Sequence, residues 1–214
     1  MKLYWGKHTC AIGIHVLLEE VGQPFTLEEV DVLGHENQGE AFRAINPKAK
    51  VPVLIRHDGS RLTEYGAIAL WLALAHPDKR LIPEAVEDRV RAQEIMDYAV
   101  GTLHGQAFGR VFMPAKFEPK DLLHKAGLGQ SATKAEGLAM VEQAFAVLDR
   151  QLEGRTYAGG QAFSIADTAL FYCERWAPQT GVTLPPNVAA HFDRMRARPS
   201  VRRALAVYGE APAA

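Results

Sequence analysis

Only two cysteines, Cys10 and Cys173, occur in 214 residues. So sparse and distant a pair cannot make a disulfide framework and lacks zinc-ligand spacing, which points to a reducing compartment. Of the eight histidines, no two stand three or four residues apart, so the helical metal-ligand pair is missing. There is no Gly-x-Gly-x-x-Gly fingerprint, Walker loop or Gly-x-Ser-x-Gly elbow, which argues against a nucleotide-binding protein, and no site for a metal is expected. The net charge is −1, so no overall field draws nucleic acid or an anionic membrane. The longest apolar run, Ala67 to Ala75, is about half of the roughly 20 residues that cross a bilayer. Nor does the N-terminus carry a charged n-region ahead of an apolar stretch. A cytoplasmic protein is expected, with no membrane or nucleic-acid partner. A basic cluster at Arg194, Arg196, Arg198, Arg202 and Arg203 is interleaved with Phe192, Met195, Val201 and Leu205 at helical spacing, so it reads as a solvated helix face.

Two textures follow one another along the chain. Residues 2–5 are strand-like. From Cys10, the apolar positions Ile12, Ile14, Val16, Leu17, Leu18 and Val21 suit a buried helix closed by Gly22 and Pro24. Phe25 to Val32 reads as a second strand, giving a β-α-β opening with a parallel pair. A short helix is expected near Glu40–Ile45. Val53–Arg56 and Arg61–Thr63 flank His57-Asp58-Gly59-Ser60, a hairpin signal, and a helix runs from Glu64 to His76. Pro77 to Pro83 is the best boundary. The expected organisation is therefore an α/β unit over 1–76, a linker over 77–83 and an all-helical unit over 84–214. Beyond the linker, helices are expected at Val86–Phe112, Thr133–Leu152, Ser164–Trp176, Val188–Arg198 and Ser200–Tyr208, with a loop over Pro114–Gln130. Ser164-Ile165-Ala166-Asp167 is a capping box, so Asp167 is expected to be structural.

Cys10 falls where the first loop meets the first helix. Unpaired N–H groups at a helix start favour the thiolate, whereas an inert buried cysteine is the plain alternative. Residue 13 is glycine, so no Cys-x-x-Cys is present. Val51-Pro52-Val53-Leu54 enters a strand through a proline, a position that proline tolerates. Gly101, Gly105 and Gly109 lie four apart around His104. They leave room either for close helix packing or for a ligand.

Together these features resemble the glutathione transferase family over essentially the whole chain. The resemblance is carried by Met1-Lys2-Leu3-Tyr4, Asn46-Pro47-Lys48 with Val51-Pro52-Val53-Leu54, Leu62-Thr63-Glu64 with Ala67-Ile68, and the Ser164–Asp167 cap before Ala169-Leu170-Phe171. Cys10, Leu103-His104 with Phe108 and Pro114, and Trp176-Ala177-Pro178 make it most like the bacterial beta class. The resemblance implies a thioredoxin-like N-terminal domain, an all-α C-terminal domain, and a detoxification transferase that joins glutathione, its co-substrate, to small hydrophobic electrophiles. It implies that Cys10 contacts the glutathione sulfur, with Thr9 and Tyr4 as hydroxyl alternatives and His104 beside the thiolate. Val51, next to a cis Pro52, would pair with the cysteinyl backbone. Glu64 and the N–H and O–H of Tyr65 would hold the γ-glutamyl end, and Lys50, with His35 or Lys48, the glycine carboxylate. Asp97 would reach the partner's glutathione in a homodimer. Trp5, Phe108, Phe112 and Trp176 would border the electrophile pocket.

The chain departs from the family pattern at Tyr65, where serine or glycine is common and the ring would crowd the glutamyl site, and at Gly105, where many relatives place lysine. Two other readings stand beside conjugation. One is thiol–disulfide exchange through a Cys10 mixed disulfide; the other is a non-catalytic binding module.

Overall fold

The computed structural model describes residues 1–118 and 130–210, so most of the loop expected over Pro114–Gln130 lies outside the described residues. A four-stranded sheet has the order β2-β1-β3-β4, formed by β1 (Lys2–Trp5), β2 (Thr26–Glu29), β3 (Val53–Ile55) and β4 (Arg61–Thr63). Strand β1 is central. It runs parallel to β2, with Leu3 opposite Leu27, and antiparallel to β3, with Leu3 opposite Leu54. The parallel pair needs a crossover, which is α1 (Ala11–Val21), ended by Gly22 in the left-handed conformation at φ 72°.

Side chains alternate across β1. Leu3 and Trp5 enter the main core, whereas Tyr4 packs on the opposite face with Val30, Phe42 and Val53, under α2 (Glu40–Ile45). Helix α1 is buried on nearly every side because it is covered twice, by the sheet with α3 (Tyr65–Ala75) and by the helical half. The all-round apolar sequence from Ile12 to Leu18 is the chain-level cause of that placement. These elements form a thioredoxin-like N-terminal domain with a helical domain behind it.

After α3, every described element is helical. α4 (Val86–Asp97) continues through a π-helical stretch, Tyr98–Phe108, into α5 (Gly109–Phe112). The remaining helices are α6 (Gln130–Leu152), α7 (Ile165–Glu174), α8 (Ala177–Thr180), α9 (Pro186–Ala197) and α10 (Pro199–Val207). The capping box forms as expected: the Ser164 N–H donates to Asp167 Oδ2 at 2.6 Å. Asp167 also accepts from the Ala158 N–H at 2.6 Å and meets His191 Nε2 at 3.0 Å. The other His191 nitrogen meets Glu174 at 2.7 Å, and all three side chains are buried. Burial alone lowers the affinity of His191 for its proton, but Glu174 and Asp167 outweigh it and lift the pKa to about 10.

The basic cluster is more than a solvated face. Arg198 holds Glu20 at 2.8 Å and Arg203 holds Glu19 at 2.6 Å, while Arg194 donates to the Thr156 carbonyl. Helical spacing cannot show this, because both carboxylates sit on α1, more than 170 residues away in sequence. Among the described residues, no helix is long and apolar enough to cross a membrane.

Candidate active site

Cys10 stands at the N-cap of α1, with only 8% of its surface exposed. Of the two sequence readings, the burial favours the plain one, a buried and protonated cysteine. Burial pushes the thiol up to about 12, against the opposing pull of its own backbone N–H and of Arg175. The stabilisation offered by a helix start is smaller than the penalty of desolvating a charge. The charges of Glu64, which raises the pKa further, and of Lys50, which lowers it, act on Cys10 more weakly.

Thr9 serves its own turn. Its hydroxyl donates to the Gly6 carbonyl at 2.7 Å and accepts from the Ala11 N–H at 3.3 Å. The hydroxyl proton is therefore committed to the turn that leads into α1. Tyr4 is excluded by strand alternation: it lies in the small core, on the sheet face opposite the core that holds Cys10.

Val51–Pro52 is cis. Next to it, Asn46 Nδ2 donates to the Lys50 carbonyl at 2.7 Å and Asn37 Nδ2 to the Ala49 carbonyl, also at 2.7 Å. The Asn-Pro-Lys turn is therefore fixed by side-chain amides. Lys50 itself is exposed, and its ammonium has no hydrogen-bond or ion-pair partner among the described residues. Lys48 is not available in the same way. Its Nζ reaches Glu64 Oε1 at 2.6 Å and Thr63 Oγ1 at 3.0 Å, which corrects the expectation that it serves a ligand carboxylate. His35 is exposed at the start of a short 3-10 turn, with φ 64°.

Glu64 occupies φ 71° and ψ 129°, a backbone region that non-glycine residues rarely adopt. Such a conformation stores about 1–3 kcal/mol and concentrates at functional sites. It precedes α3, whose first turn has no side-chain cap, so the first N–H groups remain open to an anion.

Tyr65 is the largest correction. Its phenol points inward, 4% exposed, and its hydroxyl meets Thr168 Oγ1 at 2.8 Å. The O–H cannot also hold a γ-glutamyl group, and the ring does not crowd that site; only the backbone N–H remains for a ligand. Gly13 makes the room, since a Cβ there would stand 2.3 Å from the Tyr65 oxygen and 2.7 Å from the Thr168 carbonyl. The glycine that takes the place of a second cysteine thus receives a tyrosine from another helix.

His104 lies in the π-helical stretch. Its Nδ1 meets the Tyr172 hydroxyl at 3.2 Å, and its ring packs edge-on against Trp176 at 4.9 Å. Burial, with a smaller push from Lys50, lowers its pKa to about 4, so the imidazole is neutral. Trp176 joins Phe108 at 5.3 Å and Phe112 at 5.6 Å, and the two phenylalanines stack at 5.5 Å. Phe112 is 46% exposed, so this aromatic cluster opens at that end. The Trp176 indole N–H is buried without a partner. Trp5 is separate: it packs on Tyr208, 4.3 Å between centroids, and shares no ring contact with this cluster. The cause is strand alternation, which sends Trp5 to the C-terminal helix.

The three glycines do not share a role. Gly101 faces open space, Gly105 meets only the Val100 carbonyl of its own segment, and Gly109 carries the Phe117 ring at 2.9 Å from where a Cβ would be. Asp97 is exposed at the end of α4 and accepts from Gln93 at 2.8 Å.

Sequence reasoning missed Arg175. It is 4% exposed, and its Nη2 donates to the Thr9 carbonyl at 3.0 Å, one residue before Cys10. The residue looks like an ordinary charge at a helix end, and only the packing of α7 on α1 exposes its role. Among the described residues, no group of His, Cys, Asp and Glu could hold a metal.

Comparison with known proteins agrees with this geometry. Residues 9–75 match the glutathione S-transferase N-terminal domain model and 69–199 the C-terminal domain model. The chain is 32% identical over 213 residues to glutathione S-transferase GstA of Escherichia coli O157:H7, covering 98% of this chain and 99% of that one. A sphingomonad glutathione S-transferase solved with glutathione superposes with a TM-score of 0.83 at 31% identity, covering 99% of this chain and all of that one. The bacterial beta class enzyme of Sphingomonas chungbukensis does so with a TM-score of 0.83 at 30% identity, covering 99% and 100%. The matches over both halves, on a fold with a cis-proline turn, a strained and uncapped start of α3 and a cysteine at the start of α1, show that the chain belongs to the glutathione S-transferase family.

Proposed function

We propose that the protein is a cytoplasmic detoxification enzyme of the beta class that joins glutathione to small hydrophobic electrophiles, as a homodimer. The organisation would be a glutathione-binding domain over 1–76, a linker over 77–83 and an electrophile-binding domain over 84–214. The observation that carries the reading is the cis Val51–Pro52 turn tied, through Lys48 and Glu64 at 2.6 Å, to the strained and uncapped start of α3.

In this site, the backbone of Val51 pairs with the cysteinyl unit of glutathione. The open N–H groups of α3 receive the γ-glutamyl carboxylate, and Glu64 accepts from the ammonium. Lys50 meets the glycine carboxylate, with His35 at the rim. Asp97, exposed and facing away from its own core, supplies the partner's site. The sulfur of glutathione lies against Cys10, which donates its S–H because the thiol is held protonated. With the Tyr172 O–H donating to His104 Nδ1, His104 keeps its proton on Nε2 and is a second donor. These fixed donors favour glutathione thiolate, the nucleophile, beside the apolar surface of Phe108, Phe112 and Trp176.

Disulfide exchange needs Cys10 itself as a thiolate nucleophile, and burial works against that. The test combines calorimetric titration with glutathione and conjugation of an activated nitroaryl chloride, for wild type and Cys10→Ala. Binding in the micromolar to millimolar range and conjugation reduced but not abolished by Cys10→Ala are expected. A protein-bound mixed disulfide with turnover lost in Cys10→Ala would establish exchange instead, and no binding at millimolar glutathione would leave only a binding module.

A further inference from the structure

We propose that Arg175 is a positioning residue for the active-site turn. Its guanidinium holds the Thr9–Cys10 peptide so that the Cys10 N–H and thiol face the glutathione sulfur. The inference rests on the reading of Cys10 as the sulfur contact.

Arg175 closes α7 in the helical half, yet its side chain serves the other half. Nη2 donates to the Thr9 carbonyl at 3.0 Å, and Nη1 is paired with the Glu210 carboxylate. The Tyr208 ring lies 5.7 Å from its charge centre. Nε is buried, with no hydrogen-bond partner among the described residues. A buried cation with one donor orphaned is an expensive way to fill space, and an apolar side chain of equal volume would pack as well or better. The arrangement makes sense if the charge and the donated bond act on the turn.

In a trans peptide, the C=O and N–H of one plane point in opposite directions. Anchoring the Thr9 carbonyl on Arg175 therefore turns the Cys10 N–H away from the arginine. That N–H belongs to the same peptide as the carbonyl that Arg175 grips, so the grip sets its direction at the start of α1. A cation on the carbonyl also polarises the peptide and strengthens its N–H as a donor. The other groups acting on the Cys10 side chain are Glu64 and Lys50. The phenols of Tyr65, Tyr172 and Tyr208 and the Cys173 thiol also feel Cys10, and burial keeps all four protonated. Lys50 is exposed to solvent, so Arg175 is the buried cation of this set.

The test uses the full chain with Arg175→Met and Arg175→Lys. Two quantities are measured: iodoacetamide alkylation of Cys10, followed by peptide mass spectrometry against pH, and steady-state conjugation of glutathione to 1-chloro-2,4-dinitrobenzene. Arg175→Met is expected to slow Cys10 alkylation about tenfold at fixed pH, the effect of losing one nearby cation. It should lower kcat by a similar factor with KM within about twofold, since the interaction matters most when charge develops on sulfur. Arg175→Lys, which keeps the charge, should recover at least about a third of the wild-type alkylation rate. Equal effects of Met and Lys, or an unchanged alkylation profile in folded Arg175→Met, would overturn the proposal.

If Arg175→Met does not fold, Glu210→Gln replaces it. Removing the opposing charge should speed alkylation, and a fall or no change would defeat the idea. A wild type that never conjugates glutathione, but whose Cys10 reactivity still follows Arg175, would refute the transferase reading and leave the positioning role standing.

Discussion

Replacing Tyr65 by phenylalanine separates a structural phenol from a ligand-binding one. Thr168 Oγ1 already donates to the Ile165 carbonyl at 2.9 Å, so in the 2.8 Å contact the Tyr65 O–H is the donor. Removing it leaves no orphaned donor, only an unused lone pair on Thr168 and a small void beside Gly13. The loss is then one net hydrogen bond, about 0.5–1.5 kcal/mol. Urea denaturation should show an unfolding free energy lowered by that amount, and a midpoint lowered by that energy divided by an unchanged slope, since the surface exposed on unfolding is the same. Glutathione affinity by calorimetry should stay within about twofold, because only the backbone N–H of residue 65 is offered to the ligand. A hydroxyl contacting the charged γ-glutamyl end would be worth about 1.5–3 kcal/mol, or roughly ten- to a hundredfold in affinity. A Tyr65→Phe variant with wild-type stability and tenfold weaker binding would refute the inward placement.

Gly13→Ala should destabilise the fold, because the new Cβ meets the Tyr65 oxygen at 2.3 Å and the Thr168 carbonyl at 2.7 Å. Overpacking of about 1–3 kcal/mol outweighs the roughly 1 kcal/mol gained in helix propensity, and the penalty should shrink in a Tyr65→Phe background, a coupling that a double-mutant cycle measures. The His191 site gives a pH prediction. Its pKa is raised to about 10 in the folded state, so its stabilisation is complete below the unfolded value near 6.5 and is lost as pH rises from there through about 10. His191→Asn should lower stability by several kcal/mol, since it leaves Glu174 and Asp167 buried without their cation, and should flatten the alkaline side of the stability profile. Lys50→Met should weaken glutathione binding about three- to tenfold, with a wild-type salt dependence that the variant lacks; equal salt sensitivity in both proteins would place the glycine carboxylate elsewhere.

Much of this fold can be read from local patterns. Helix α1 is announced by its apolar run and Gly22, the β3–β4 hairpin by Asp58-Gly59, and α7 by Ser164 and Asp167, because each signal needs only neighbouring residues. The π-helical winding of Tyr98–Phe108 cannot be read this way. Its buried positions Ala99, Leu103 and Ala107 recur every four residues, a spacing that an α-helix accommodates equally well. The site divides along the same line. Cys10, Val51, Pro52, Glu64 and His104 are the positions that the family resemblance singles out in the sequence. The direction of Tyr65 is set by Gly13, the grip of Arg175 by Thr9 and Glu210, and the separation of Trp5 by Tyr208, all partners distant in the chain. The sequence leaves the protonation of Cys10 open because a helix start is visible in it, whereas the desolvation that opposes ionisation depends on the whole packed interface.

That protonation also decides how two sulfurs can share one site. Two thiolates in contact repel, so a single proton must be divided between Cys10 and glutathione, and the pair titrates as one system. Burial pushes Cys10 up to about 12, well above an ordinary thiol, so in the proposed site the proton would stay on the protein and the charge would fall on the ligand. The ligand sulfur is the one that can leave the turn to meet an electrophile at the open, Phe112 end of the aromatic cluster. A neutral His104 reinforces the same division, since it can donate to the thiolate without adding a cation that would draw the proton from Cys10. Disulfide exchange requires the opposite division, with charge on Cys10. In the proposed site, burial of the Cys10 thiol favours conjugation over exchange, and the arginine that grips the Thr9 carbonyl at 3.0 Å is the group proposed to set that thiol's direction.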